Sequence, residues 1–141
     1  MTKIDFHSNI SDWLMYVCHL LKIEYQNRKS VVVLGDLTNI QILDRRLWTF
    51  SSIDFIPHCS INSKYALDTP IVMTEDAECI SSSHCCTLLN LGLSVPLHFV
   101  YFKRLIEVVG NTSEELVAGR DRYRFYRKLG YIPNHYNNSI V

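Results

Sequence analysis

Glycine is scarce in this chain: five among 141 residues, at Gly35, Gly92, Gly110, Gly119 and Gly130. None forms G-x-G-x-x-G or G-x-x-x-x-G-K-[ST], and the first predicted strand-to-helix turn, His7 to Ser11, has no glycine at all. A bound phosphate needs backbone N–H groups brought close to it, and side chains in that turn stand in the way. A nucleotide-binding enzyme of the familiar kinds is therefore not expected, and neither is a cofactor. Net charge is also missing, with 14 Lys+Arg against 14 Asp+Glu. Wholesale binding of duplex nucleic acid or of an anionic membrane normally needs a positive excess. Long apolar runs are absent too. The stretch Val31-Val32-Val33-Leu34 has four residues, where a membrane span needs about 20. Met1 to Ile10 contains Lys3, Asp5 and His7 and does not read as a signal peptide. A cytoplasmic location with no membrane partner is the expectation.

The five cysteines, Cys18, Cys59, Cys79, Cys85 and Cys86, contain no C-x-x-C pair, and their odd number cannot close within one chain. His84, Cys85 and Cys86 resemble metal ligands only at first sight, because neighbours on a strand point to opposite faces and do not converge on one ion. Buried, reduced thiols in a reducing compartment are expected, and no metal.

What is present fits one domain spanning residues 1–141. A 48% hydrophobic fraction suffices for a single core without staples. Ile4 and Phe6 alternate with Asp5 and His7, which suits a short opening strand. Ser8 or Ser11 can cap a following helix, along which Trp13, Leu14, Val17, Cys18, Leu21 and Tyr25 recur at helical spacing. Asn27 is a plausible stop. Val31 to Leu34 suits a strand covered on both faces. After Gly35-Asp36, Ile40, Leu43 and Leu47 mark a second helix ending near Trp48. Strands are expected around Phe55-Ile56, Ile71 to Met73, Thr87 to Leu91 and Leu105 to Val109. Thr112 or Ser113 caps a last helix running to about Leu129, before Gly130. Strands alternating with helices predict an α/β fold: a three-layer, mostly parallel sheet with helices on both faces, like a nucleotide-binding fold without a phosphate loop.

Catalytic groups are poorly represented. Ser81-Ser82-Ser83-His84 sets a hydroxyl beside a base, but triads assemble across a fold and a polar turn is the simpler reading. Asp5 and His7 share a strand face, as an acid–base pair or metal site requires, yet such a pair reads equally as a solvated strand end. His58 has no identifiable partner. No enzymatic activity is expected.

The clearest signal is Arg120-Asp121-Arg122-Tyr123-Arg124-Phe125-Tyr126-Arg127-Lys128. These nine residues hold five basic side chains and one acid, leaving nine basic and 13 acidic side chains elsewhere. At about 100° per residue, Leu116, Arg120, Tyr123 and Arg127 share a stripe with Arg124 beside it, while Ala118, Phe125 and Leu129 fall opposite, toward the core. Two readings stand. The helix presents either a solvated charged face or a partly apolar, anion-seeking groove around Tyr123. Trp48, at a helix end, reads either as core or as binding surface.

Leu47-Trp48 followed by Asp54-Phe55-Ile56-Pro57-His58 resembles a signature of the chi subunit of bacterial DNA polymerase III. Phe102-x-x-Leu105-Ile106-Glu107-Val108-Val109 is similar to that family's "F-x-R-[VL]-I-E-[IV]-V" strand. Arg120-x-Arg122-Tyr123-Arg124-x-Tyr126-x-x-x-Gly130-Tyr131 is similar to its C-terminal helix, and Ile4-Asp5-Phe6 to its first strand. The resemblance implies a non-catalytic accessory subunit that joins the clamp loader, usually through a small partner called psi, to single-stranded DNA-binding protein. The latter ends in an acidic tail with a terminal Pro-Phe carboxylate. Contact with nucleic acid would then be indirect. Carried over by motif, Arg120 takes the tail carboxylate with Arg124 and Tyr123 alongside, Trp48 and Val109 form apolar walls, and Phe55 faces psi. Leu116 stands where some members carry a Lys, and the glycine often found before the second strand is replaced around Asn27-Arg28-Lys29. Direct binding of single-stranded nucleic acid by the basic helix is the alternative.

Overall fold

The computed structural model describes residues 1–50, 55–80, 86–96 and 98–137. Seven strands, β1 (Lys3–Ile10), β2 (Val31–Leu34), β3 (His58–Ser60), β4 (Ile71–Thr74), β5 (Thr87–Asn90), β6 (Arg104–Gly110) and β7 (Asn134–Asn137), form one sheet in the order β3-β4-β2-β5-β6-β1-β7. Every neighbouring pair is parallel. Helices α1 (Trp13–Gln26) and α2 (Leu37–Thr49) pack with one core and α3 (Ser113–Lys128) with the other. The three-layer α/β expectation is met, with the sheet wholly rather than mostly parallel.

Strand periodicity explains the two cores. Val31 and Val33 of β2 and Ile106 and Val108 of β6 pack with Val17, Cys18, Leu21, Leu43 and Leu47 from the first two helices. Val32, and Leu105 and Val109 of β6, pack with Ile4, Phe6, Phe99, Phe102 and Tyr126 on the other side. Odd and even positions of one strand thus serve different layers. On β6 the same alternation puts Glu107 on the α3 side.

Local signals resolve as follows. Asp12, not Ser8 or Ser11, caps α1, its carboxylate accepting from the Met15 N–H: β1 takes in Ser8 and runs on to Ile10, and the helix starts at Trp13, one residue too late for Ser11. Asn27 ends α1 with φ −86°, and the left-handed residue is Arg28 at φ 59°. Asp36 caps α2 and Thr112 caps α3. Gly130, at φ +95°, turns the chain after α3, a conformation that costs a residue with a Cβ. The strand expected at Phe55-Ile56 begins instead at His58, beyond Pro57, whose missing N–H cannot join a ladder. Strand β7 was not anticipated.

Of the described cysteines, Cys18 is buried, Cys59 half-buried, and Cys79 and Cys86 are exposed. Burial as a general expectation therefore fails at Cys79, the end of a short 3-10 helix, and at Cys86, just before β5; both lie outside the two cores. Burial pushes the Cys18 thiol up to about 11, so this side chain packs as an inert hydrophobe. The Ser81 to His84 run and Cys85 lie outside the described residues.

Candidate functional site

A groove of about 580 Å³ lies between α3 and the β1–β7 edge of the sheet. Phe6, Val109, Leu116 and Gly119 give it an apolar floor, Arg120, Tyr123 and Arg124 one wall, and Ser8, Asn9, His135 and Asn137 the other. The topology makes the opening. Helix α3 packs over β6 and β1, so β7 extends the sheet past the helix and leaves a trough beside it. In the β1–β7 register Phe6 faces His135 and Ser8 faces Asn137, which aligns the far wall. Asn9, at φ 61° where β1 slips register against β6, completes it; Asn is one of the few residues that tolerates this conformation. Tyr123 is held edge-on against Phe6, ring centroids 5.3 Å apart.

The electrostatics have one sign. No carboxylate among the described residues lines the groove. Among the described residues Arg120 has no ion-pair partner, and Arg124 has only Asp121, 3.7 Å away with both side chains well exposed. Such a pair is worth little, so both guanidinium groups are available to an anion. Arg127, expected on the same stripe, is exposed but does not line the groove.

The inner face of α3 corrects the expected helix phase. Gly119, Arg122 and Tyr126 are buried, whereas Phe125 and Leu129 are 43% and 52% exposed. Glu107, fully buried, is what draws Arg122 inward. Its carboxylate accepts from Tyr126 Oη at 2.6 Å and from Asn90 Nδ2 at 2.8 Å, with Arg122 Nε 3.2 Å away. Arg122 Nη1 donates to the Leu93 carbonyl. Burial pushes the Glu107 carboxyl above the ordinary carboxylate range, and Arg122, Tyr126 and Asn90 pull it back. Burial and the neighbouring Glu107 also push the Tyr126 hydroxyl well up, which keeps it a donor.

Gly119 is there for close approach. A Cβ at this position would lie 2.9 and 3.0 Å from the two methyls of Val109. Gly119→Ala is expected to destabilise the protein by about 1 kcal/mol net, because overpacking of roughly 1–3 kcal/mol outweighs the helix-propensity gain of about 1. Thermal or urea unfolding measures it, and a stabilised variant would mean that α3 has room to lift.

Trp48 does not belong to this groove. It stands at the end of α2, near β3, while the groove is at the β7 edge on the far side of the sheet. Its ring lies 5.0 Å from Phe55, and both are exposed, at 60% and 50%. Beneath them His58 is buried, its Nδ1 2.7 Å from the Ile56 carbonyl and its Nε2 3.2 Å from the Asp44 carboxylate. The sequence placed Trp48 by motif alone, and nothing in a motif states which sheet edge a helix end reaches. The partner His58 lacked in the sequence is Asp44, brought to it by α2.

The remaining acid–base candidates are structural. Asp5 is buried rather than solvated, its carboxylate held by Arg104 Nε and Asn134 Nδ2, both at 3.0 Å; Arg104 also bonds Glu24 of α1 at 2.6 Å. His7 is buried as well, bonded through Nδ1 to Tyr16 Oη and stacked on Tyr136. Burial lowers its pKa, with the Asp5 charge opposing and Arg104 adding to the fall. Among the described residues no group of three His, Cys, Asp or Glu side chains is placed to hold a metal, and no helix is long and apolar enough to cross a membrane.

Residues 1–134 match the family described as DNA polymerase III chi subunit, HolC. The chain belongs to this family. It is 29% identical over 136 residues to DNA polymerase III subunit chi of Pseudomonas aeruginosa, covering 93% of each chain. It is 27% identical over 121 residues to the probable DNA polymerase III subunit chi of Rickettsia prowazekii, covering 79% of this chain and 73% of that one. As a chi protein it is an accessory subunit of replication. The arginines of its chi-like helix motif divide: Arg120 and Arg124 face the groove and Arg122 the core. Sequence reasoning found Arg120, Tyr123, Arg124 and Val109, all of which meet in the groove. It missed Ser8, Asn9, His135 and Asn137, because the strand carrying the last two was not recognised.

Proposed function

We propose that this chi protein is a non-catalytic adaptor that links the clamp loader to the acidic C-terminal tail of single-stranded DNA-binding protein. The observation that carries this reading is a groove whose described lining has no carboxylate, in which Arg120, without an ion-pair partner among the described residues, stands beside an apolar floor. A guanidinium can hold a terminal carboxylate bidentately, and a pocket floored by Phe6, Val109 and Leu116 suits the adjoining phenyl ring. Titration of a labelled acidic peptide ending in Pro-Phe tests it, with the amidated peptide as control; equal affinity for both would remove the carboxylate from the argument.

The Trp48–Phe55 pair is proposed as the contact for a psi-like subunit. Two large exposed rings side by side form the kind of apolar patch that an interface covers. Replacing both with alanine is expected to weaken binding of a psi-like partner at least about tenfold while leaving tail-peptide affinity and the unfolding midpoint nearly unchanged. Loss of tail binding instead would return Trp48 to the tail site.

Direct single-stranded nucleic-acid binding is the second reading. It requires a basic track with stacking rings, and the groove offers two arginines and Tyr123 above a closed floor, room for a chain end rather than a strand. A mobility shift with a short oligonucleotide and the protein alone separates the readings: tight shifting favours the nucleic-acid binder.

A further inference from the structure

We infer that His135 is an affinity-determining residue of the groove, a third cation that appears as pH falls and tightens capture of an acidic peptide. The inference rests on the reading of the groove as a site for an anionic chain end. His135 forms the wall across from the arginines. The Phe6–His135 register of parallel strands puts its side chain on the α3 face, the face that carries the groove floor. Its place is fixed from both flanks. Asn134 donates to the buried Asp5 carboxylate, and Tyr136 stacks on His7. The His135 ring is itself anchored through Nε2, 2.6 Å from Ser8 Oγ. Nδ1 has no hydrogen-bond partner among the described residues, so one ring nitrogen remains for a ligand.

Arg120, Tyr123 and Arg124 face the ring from α3, its centroid lying 6.5 Å from that of Tyr123. Ser8 and Asn9 face it from β1, and Asn137 continues its own strand. The nearest acid on α3, Asp121, pairs with Arg124 and does not line the groove. Among the described residues no carboxylate in the wall would neutralise an imidazolium here, and an incoming acidic chain would supply the counter-charge. Histidine is the side chain whose ordinary titration falls between pH 5 and 8, while Asp and Glu of the peptide stay ionised above about pH 5.5. The sign follows. A ligand that prefers the protonated ring binds more tightly as pH falls. Neutral Ser or Asn at this position would hold the wall without the dependence.

The test is the affinity of an acidic, Phe-terminated peptide between pH 8.0 and 5.5 for the wild type, His135→Gln, His135→Lys and Arg120→Ala, with circular dichroism to confirm folding. The wild type is expected to gain about twofold to fivefold in affinity across this range, the scale of one exposed charge pair. His135→Gln should lose most of that gain, leaving a profile that is nearly flat across the range. His135→Lys should bind at pH 8.0 as tightly as the wild type at pH 5.5, with a flat profile. His7, buried on the opposite face of β1, titrates in every variant, so its contribution would persist in His135→Gln. An undiminished slope in His135→Gln, with affinity still dependent on Arg120, overturns the role of His135 and leaves the groove reading intact. Binding that is indifferent to Arg120 at every pH overturns the groove reading itself.

Discussion

Replacing Arg122 with alanine is expected to destabilise the protein by about 3–5 kcal/mol, the usual cost of stranding one partner of a buried ion pair. Glu107 is fully buried at the centre of β6, and Arg122, itself 3% exposed, is the cation beside it. Removing the guanidinium leaves Tyr126 and Asn90 as hydrogen-bond donors, which satisfy the oxygens without balancing the charge. The pH dependence has a definite sign. Burial already holds the Glu107 carboxyl above its ordinary range, and Arg122 is the strongest influence in the other direction. A carboxyl whose pKa is higher folded than unfolded favours the fold below its unfolded pKa, and that advantage is lost as pH rises through the folded pKa. Without Arg122 the gap widens. Arg122→Ala should therefore lose stability more steeply than the wild type as pH rises from about 4. Urea unfolding at pH 4 to 8 measures both statements. A loss under about 1 kcal/mol with a wild-type pH profile would show that the pair contributes nothing net.

The same pair shows where the sequence could and could not be read. Period and punctuation gave the architecture: the uninterrupted Val31 to Leu34 run marked a strand buried on both faces, and Thr112 and Gly130 bracketed α3 to within a residue. The helix phase was misread because Ala118, Phe125 and Leu129 were set toward the core and Arg122 was given no place there, whereas Gly119, Arg122 and Tyr126 are the buried positions. The signal that corrects it was present on another element. Glu107 interrupts the otherwise apolar Leu105-Ile106-Glu107-Val108-Val109, and an acid inside a buried strand needs a buried cation to meet it. Nothing local said that the cation was Arg122. Strand β7 was illegible for a different reason: Asn134, His135, Tyr136 and Asn137 are all exposed at a sheet edge, so no apolar alternation marks them. Half of the groove went unseen with it. Trp48 lies apart from the groove: resemblance transfers roles by position along the chain, whereas the sheet order sends the end of α2 to the β3 edge and α3 toward β7.

Arg120→Ala is expected to weaken binding of the acidic, Phe-terminated tail by about 2 kcal/mol or more, roughly thirtyfold, as losing a charge-assisted anchor does. Three features single out Arg120 from the other four basic residues of α3. It lines the groove, it has no ion-pair partner among the described residues, and it lies one residue after Gly119, where a Cβ would crowd Val109 of the floor. Arg122 is committed to the core, and Arg127 and Lys128 lie outside the groove. Arg124 shares the wall but stands beside Asp121 and is largely solvated, so Arg124→Ala should cost less, about 1 kcal/mol or under. The fold should survive both changes, since each side chain is exposed. Salt should act in the same order: exposed attractions are screened over about 8 Å at physiological ionic strength, so the wild type should weaken with added salt and Arg120→Ala less steeply. Titrating labelled tail peptide into the three proteins at two salt concentrations, with circular dichroism as a folding control, reads all of this at once. Unchanged affinity in a folded Arg120→Ala protein would reduce the outer face of α3 to a solvated charged surface, and the anchor for an anionic chain end would have to be sought on the β1–β7 wall.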